Sequence, residues 1–375
     1  MIACDAIVAG GGPAGSSCAR ALGAAGWRVV VIDRARFPRD KVCAGWLTPE
    51  VFPLLDLTPA EYRTGGRTLQ EITGFRTRVI GGAPIETRYP RTISYAIRRC
   101  EFDDFLLRRA GAQVLQDTPV SSIRRTSRGW VVNDRIEAPV LVGAGGHFCP
   151  VARYLRGGHE TTPPVVAKEA EFRLESDSVD VAPQVPELLF CRDLQGYGWC
   201  VRKEGFVNVG IGRRGNRDFN EHVRAFCDLV AATMNVRTPP GVQWRGHAYL
   251  AAGVGPRAVT GDGVVVVGDA AGLAYPESGE GIRPAIESGL LAARVLIQSG
   301  GHFDNDALAP YATTLRRLHP PRRRSWPATE LASAAVGRLL MGSPAFTRHV
   351  VIDRWFLRAT SARSANHPGA GVQGT

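Results

Sequence analysis

The chain has no apolar run that reaches the roughly 18 residues a helix needs to cross a bilayer. Its opening, MIACDAIVAGGG, has no basic leader, no separate apolar core and no small-residue cleavage site, which predicts a cytoplasmic protein. The eight cysteines are scattered, with no C-x-x-C pair and no zinc-like spacing to a histidine. That favours reduced thiols, mostly in the core, over a disulfide framework or a metal site. No basic motif interleaved with aromatics is present, so nucleic acid is not an expected partner. There are also no internal repeats, which removes solenoids and propellers from consideration.

The remaining composition is that of a packed globular protein: 375 residues, 44% hydrophobic and 22% charged. The formal charge of +11 is carried by arginine, with clusters at Arg124-Arg125 and across RRLHPPRRR, Arg316 to Arg324. Such a surface attracts anions, and a peripheral contact with anionic membrane is one use for it; a solvated basic face with no dedicated partner is the other reading.

Element type alternates from the start. DAIVAG reads as a short strand, GGPAG as a turn, SSCARALGAAG as a small-residue helix and RVVVIDR as a second strand. Within this β-α-β unit, Gly10, Gly12 and Gly15 fall in the G-x-G-x-x-G spacing. The first glycine permits a tight turn, the second lets backbone approach a pyrophosphate, and the third allows helix to pack on strand. Asp33, at the end of the second strand, is placed to accept hydrogen bonds from a ribose diol. This combination predicts a dinucleotide site.

A second site-like element appears far down the chain. VVVVGDAAGLAYPESGEGIRPAIESG, Val264 to Gly289, reads as a strand, a carboxylate at its tip, a Gly/Pro loop and a new helix. A nicotinamide enzyme would continue with further β-α repeats. A returning Gly-Asp instead suits FAD, with Asp269 on the ribityl hydroxyls and the helix start near Gly279, Gly281 and Ile282 facing the anionic edge of the flavin.

RRCEFDDFLLRRAGA, Arg98 to Ala112, has helical spacing, and strands joined by turns run from Pro119 to Gly146. The stretch from Val165 to His247 reads as strand-rich, and the part from about Gly281 to Phe356 as helical. The predicted architecture is α/β (α+β): a Rossmann-like FAD-binding domain, an inserted and mostly antiparallel β substrate domain, and a helical C-terminal part. The FAD-binding domain takes 1–43, 99–164 and 256–300; the substrate domain takes 44–98 and 165–255. The C-terminal helices take 301–358, and 359–375 reads as a flexible tail.

Taken together, these residues resemble the FAD-dependent oxidoreductases of the para-hydroxybenzoate hydroxylase-like fold, and within them the geranylgeranyl reductase-like branch. VAGGGPAGSSCARALGAAGWRVVVIDR is similar to the family's FAD fingerprint, and RRCEFDDFLLRRA to its Arg-x-x-Phe-Asp helix. RDKVCAGWLTP resembles the Cys-Gly-Gly segment beside the isoalloxazine, with Ala44 replacing one glycine. GYGWCVRKEGFVNVGIG resembles a Tyr-x-Trp-x-Phe-Pro segment, with Val201 and Arg202 where Phe-Pro is usual. SPAFTRHVVIDRW, Ser343 to Trp355, is similar to C-terminal stretches of the branch.

The resemblance implies a cofactor site. Gly10, Gly12, Pro13, Ala14 and Gly15 form its first loop, Asp33, Arg34, Lys41, Arg99 and Val120 its flank, and Asp269, Gly279, Gly281 and Ile282 its second half. It also implies a substrate cavity walled by Trp46, Tyr197 and Trp199, although each is equally an ordinary core aromatic. Cys43 is a candidate proton donor or a small apolar filler.

The implied reaction is hydride transfer from reduced FAD to C=C bonds of an isoprenoid or prenyl-lipid-like hydrophobic substrate. A monooxygenase acting on an aromatic or polyketide-like substrate is the alternative. Many related hydroxylases carry a Gly-Ala-Asp-Gly element that engages NADPH; here Gly143-Ala144-Gly145-Gly146 lacks the carboxylate. The reductant therefore stays open among NADPH, a ferredoxin, a quinol and a separate flavin reductase, so an electron-donor protein is a candidate partner.

Overall fold

The computed structural model describes residues 1–158, 164–175, 179–215, 218–252, 257–320 and 330–358; the predicted tail and Arg322 to Arg324 of the basic cluster lie outside them. A six-stranded sheet forms the first core. Its order is Thr260–Gly261, Val264–Val266, Val140–Gly143, Ala6–Ala9, Val29–Ile32 and Gln113–Leu115. All its pairings are parallel except the hairpin of the first two strands. AIVA and VVVI are buried at every position, as expected where a parallel sheet is covered on both faces.

The helix Pro13–Ala24 follows the first strand, and the helix Ile282–Gln298 crosses it closely. A Cβ on Gly289 would stand 2.2 Å from the Ala14 carbonyl oxygen, so only glycine allows that approach. A smaller four-stranded sheet, Ile2–Ala3, Ile136–Ala138, Gly129–Val132 and Ile123–Thr126, contributes Trp130, Val132 and Ile136 to the same core.

A second, seven-stranded sheet runs Arg245–Tyr249, Val165–Arg173, Phe206–Arg214, Gly196–Lys203, Glu187–Phe190, Gly74–Val79 and Ile85–Arg88. It is antiparallel apart from the pairing of Glu187–Phe190 with Gly74–Val79. Alternate side chains supply two different cores. Leu189, Cys200, Val209 and Ile211 pack on one face; Leu188, Phe190, Trp199 and Val201 pack on the other. A three-stranded sheet is formed by Trp46–Leu47, Ser94–Ala96 and Gln70–Ile72, and the strands Gly74–Val79 and Ile85–Arg88 of the larger sheet fall within its span of sequence.

The stretch from Val165 to His247 is strand-rich, as read above, and its strands pair antiparallel with one another. It contains a 16-residue helix, Phe219–Met234. Val223, Phe226, Val230 and Met234 recur at helical spacing and bury one stripe against the seven-stranded sheet. Gly198 makes room for it: a Cβ there would stand 2.2 Å from the Phe226 ring. The piece from Cys43 to Arg98 likewise includes the short helices Val51–Leu54 and Pro59–Arg63.

The opposite face of that sheet receives the C-terminal segment through Met341, Val351, Ile352 and Phe356. Before it, the helix Asn305–Leu318 is capped by Asp304, whose carboxylate accepts the Ala307 N–H at 2.9 Å. Tyr311 ties this helix to the parallel sheet by donating to the Val266 carbonyl at 2.8 Å. Among the described residues, no helix is long and apolar enough to cross a membrane.

Candidate functional site

The sheet order brings three chain ends together. Ala9, Gly143 and Val266 are register partners on neighbouring parallel strands, so the loops after them open into one crevice. Such a crevice at the carboxyl ends of parallel strands is where ligands bind in open α/β sheets. Gly10 turns sharply there at φ 122°, and a Cβ on it would meet the Ala144 carbonyl oxygen at 2.3 Å. A Cβ on Gly15 would stand 1.9 Å from the Gly10 oxygen, so the helix packs closely on the loop that follows the first strand.

Gly12 is the N-cap of the first helix, and no side chain caps that helix. The nearest atom to a Cβ on Gly12 would be the Arg39 guanidinium at 3.5 Å, so the helix start faces open space. The helix Ile282–Gln298 likewise begins at Gly281 without a side-chain cap. Two positive helix ends therefore converge on one cavity of about 820 Å³, lined by Gly12, Pro13, Ala14, Gly281 and Ile282 among others.

Asp33 has a structural task besides its predicted one. Its two oxygens accept the N–H groups of Gly11 at 2.7 Å and Ala35 at 2.9 Å, which holds the glycine loop against the second strand. Each oxygen keeps acceptor capacity for a diol. Arg34 and Val120 line the same end of the cavity, Arg34 exposed at the rim. Arg99 is buried and bound bidentately by Asp103, at 2.8 Å to each oxygen, and Arg39 reaches the same carboxylate at 3.1 Å.

Asp269 lies just past the valine strand, in a single helical turn, beside Lys41 at 4.0 Å and His247 at 3.8 Å. Burial works against its charge, but the adjacent His247 and Lys41 outweigh burial and hold its carboxyl below the usual range. Burial pulls the Lys41 amine down to about 8, against the pull of Asp269. Burial also lowers His247, against the pull of Asp269, and its Nε2 lies against the Lys41 amine.

The other end of the cavity is aromatic. His247, Ala167, Gly212 and Tyr197 lie side by side across four strands of the seven-stranded sheet, and all four line the cavity. One row further, Trp199 lies over Gly210, where a Cβ would stand 2.3 Å from its ring. Trp199 donates to Asn208 at 2.7 Å, and the Tyr197 hydroxyl donates to the Ser278 carbonyl. Trp46 stacks on Phe356 at 5.0 Å and touches Phe75 at 4.8 Å; Tyr197 meets Phe356 edge-on at 5.4 Å.

Cys43 lines the cavity between the two ends. Its thiol sulfur accepts the Gly45 N–H at 3.3 Å, and its own N–H donates to Glu169 at 2.7 Å. Burial pushes the Glu169 carboxyl up to about 7, with Lys203 opposing. Its neighbour Glu171 is held ionised by Lys203 at 2.6 Å and Arg98 at 2.9 Å, which outweigh its own burial. Among the described residues, no group of three or more His, Cys, Asp or Glu side chains is arranged to hold a metal.

Residues 3–318 match the model of the FAD binding domain family. The chain belongs to that family. It is an FAD-dependent oxidoreductase, and the resemblance to geranylgeranyl reductases is borne out. Menaquinone reductase of Mycolicibacterium smegmatis is 29% identical over 350 residues, covering 85% of this chain and 81% of its own. Digeranylgeranylglycerophospholipid reductase 1 of Methanosphaera stadtmanae is 28% identical over 323 residues, covering 79% and 75%.

A geranylgeranyl bacteriochlorophyll reductase-like protein of Thermoplasma acidophilum superposes with a TM-score of 0.71 at 21% identity, covering 94% of this chain and 91% of the other. Solved halogenases and monooxygenases share the fold as well, so likeness at this level speaks to architecture and not to the reaction.

Of the residues expected to touch FAD in this oxidoreductase, all but Gly15 line the cavity; Gly15 packs behind the loop. Cys43, Trp46, Tyr197 and Trp199 line it too. Sequence reading missed His247, Tyr249, Arg39, Phe356 and Glu169. His247 and Tyr249 are two apart on an edge strand, a spacing that says only that they share a face. Phe356 sits one residue past the stretch that resembles the family.

Proposed function

We propose that the protein reduces C=C bonds of an isoprenoid-like hydrophobic substrate with electrons held on bound FAD. The observation that carries the proposal is the continuity of one cavity from a polar end, made of backbone and carboxylates, to an end walled by Trp46, Tyr197, Trp199 and Phe356. An apolar, branched chain fits such walls, and the names of the two reductase relatives agree with a lipid-like substrate.

Bound FAD supplies the hydride; the chain's own residues hold, orient and desolvate. In this reading the Gly10–Gly15 loop and the first helix take the pyrophosphate, Asp33 takes the ribose, and Arg34 and Val120 border the nucleotide. Arg99 and Lys41 flank the pyrophosphate and ribityl chain, and Asp269 accepts from the ribityl hydroxyls. The N–H groups at Gly281 and Ile282 face the flavin's electron-rich edge. The aromatic walls exclude water from the reacting carbon. The Cys43 thiol, at the junction of the two ends, holds the proton for the second carbon. Electrons arrive from an external donor: NADPH, a ferredoxin, a quinol or a separate flavin reductase. The eight unpaired cysteines suit the reducing cytoplasm.

The test is anaerobic. Dithionite-reduced holoprotein mixed with a polyprenyl substrate should reoxidise, with product two hydrogens heavier by mass spectrometry, and Cys43→Ala should slow this while keeping FAD. Failure of every prenylated substrate, together with NADPH oxidation in air that an aromatic compound stimulates and oxygen incorporation into that compound, would establish the monooxygenase instead.

A further inference from the structure

The helix Glu330–Met341 has two unlike faces. Gly337 and Met341, four apart, point inward: a Cβ on Gly337 would stand 2.5 Å from the Leu194 side chain, and Met341 is buried in the core that holds Trp199 and Phe356. Val336, Leu339 and Leu340 fall at i, i+3 and i+4 on the outer stripe. They are 58%, 79% and 41% exposed, three of the few large apolar side chains left in solvent. Pro344 and Ala345, just beyond, are exposed too.

Arginines rim this stripe. Arg338 sits within it and donates to the Arg192 carbonyl at 2.8 Å, which places the exposed Arg192 alongside. Arg348 lies in the following helical segment, Thr347–Phe356, over the Tyr89 ring. Two neighbouring carboxylates are already engaged: Asp193 pairs with Arg213 at 2.9 Å, and Asp353 accepts from the Tyr89 hydroxyl. An apolar stripe with cationic flanks matches the surface of an anionic bilayer, where acyl chains take the leucines and headgroups take the arginines. A second copy is the poorer fit, since a symmetric pairing would set the same arginines against one another on a chain of net charge +11.

We infer that the face formed by Val336, Leu339 and Leu340, with Arg338 and Arg348, docks the protein on anionic phospholipid. The same segment continues through Thr347–Phe356 to place Phe356 in the aromatic wall, so docking brings the bilayer to an element that lines the cavity. That purpose rests on the lipid-substrate reading above, but the binding does not.

The test uses full-length holoprotein and phosphatidylcholine vesicles with and without phosphatidylglycerol, in a sedimentation assay that contains no substrate, so it can fail separately from the reductase reading. The protein should sediment with the anionic vesicles only and be released by raised salt. A V336E/L339E double variant should lose about tenfold or more in affinity, and Arg348→Gln should lose less. Both variants should keep the wild-type flavin content and thermal midpoint, since these side chains lie at the surface. No binding to anionic vesicles, undiminished binding by the double variant, or a dimer in sedimentation velocity that V336E/L339E dissolves would overturn the inference; the last would assign the face to a second copy.

Discussion

The two ends of the cavity are built by different means. The polar end is made of backbone: positive-φ glycine at Gly10, uncapped helix starts at Gly12 and Gly281, and a carboxylate, Asp33, that itself holds backbone N–H groups. The aromatic end is made of side chains from separate places in the chain: Trp46, Tyr197, Trp199 and Phe356. Backbone geometry tolerates almost no substitution, because a single Cβ collides with main-chain atoms that cannot rotate away. A wall of side chains can repack, so one scaffold can admit different substrates while the cofactor end stays constant.

The strongest test of that contrast is Gly15→Val. Its Cβ would collide with the Gly10 oxygen at 1.9 Å, so we expect loss of FAD and destabilisation of about 3 kcal/mol or more, read by flavin absorbance and denaturant unfolding. Asp269→Ala should release flavin while leaving most of the fold, since Lys41 and His247 keep each other as partners; a variant with full FAD occupancy would refute the ribityl assignment. Trp46→Ala should behave in the opposite way, keeping FAD and losing turnover on a prenyl substrate, with a stability cost of about 3 kcal/mol. Equal flavin loss in the last two variants would mean that the two ends are not separable.

A smaller effect is expected from Gly210→Ala. The added carbon would meet the Trp199 ring at 2.3 Å and must displace it, at roughly 1 to 3 kcal/mol, changing substrate preference with flavin content unaltered. Smallest is the pH dependence of Glu169. Its folded value of about 7 lies above the ordinary 4.5, so the native state binds more protons between those values. Its contribution is fully present below 4.5 and is lost as pH rises through 7. Glu169→Gln, whose amide oxygen still accepts the Cys43 N–H, should flatten that part of the stability curve by roughly 1 to 3 kcal/mol. Superimposable profiles would show that Glu169 does not titrate there.

The comparison also explains what could be read in advance. The β-α-β unit was legible because its strands are continuous apolar runs and its glycines serve local backbone needs. The helix Phe219–Met234 was equally legible at Val223, Phe226, Val230 and Met234, yet the neighbouring strands dominated the reading of that stretch. His247 was not legible. It reaches Asp269 because the strand Arg245–Tyr249 pairs with Val165–Arg173 at the sheet edge, and no local pattern encodes that pairing.

By itself the sequence determined that this is an FAD-binding chain, because a glycine loop, a helix start and a carboxylate at a strand tip are local devices whose spacing is their function. Tertiary structure alone decided which side chains share the cavity. Val264–Val266 comes to lie beside Val140–Gly143 and so delivers Asp269 to the crevice opened by Gly10, while the C-terminal segment folds back to bring Phe356 onto Trp46. Those contacts join residues far apart in the chain. They are set by the burial of whole faces, which many sequences satisfy, and not by any short motif.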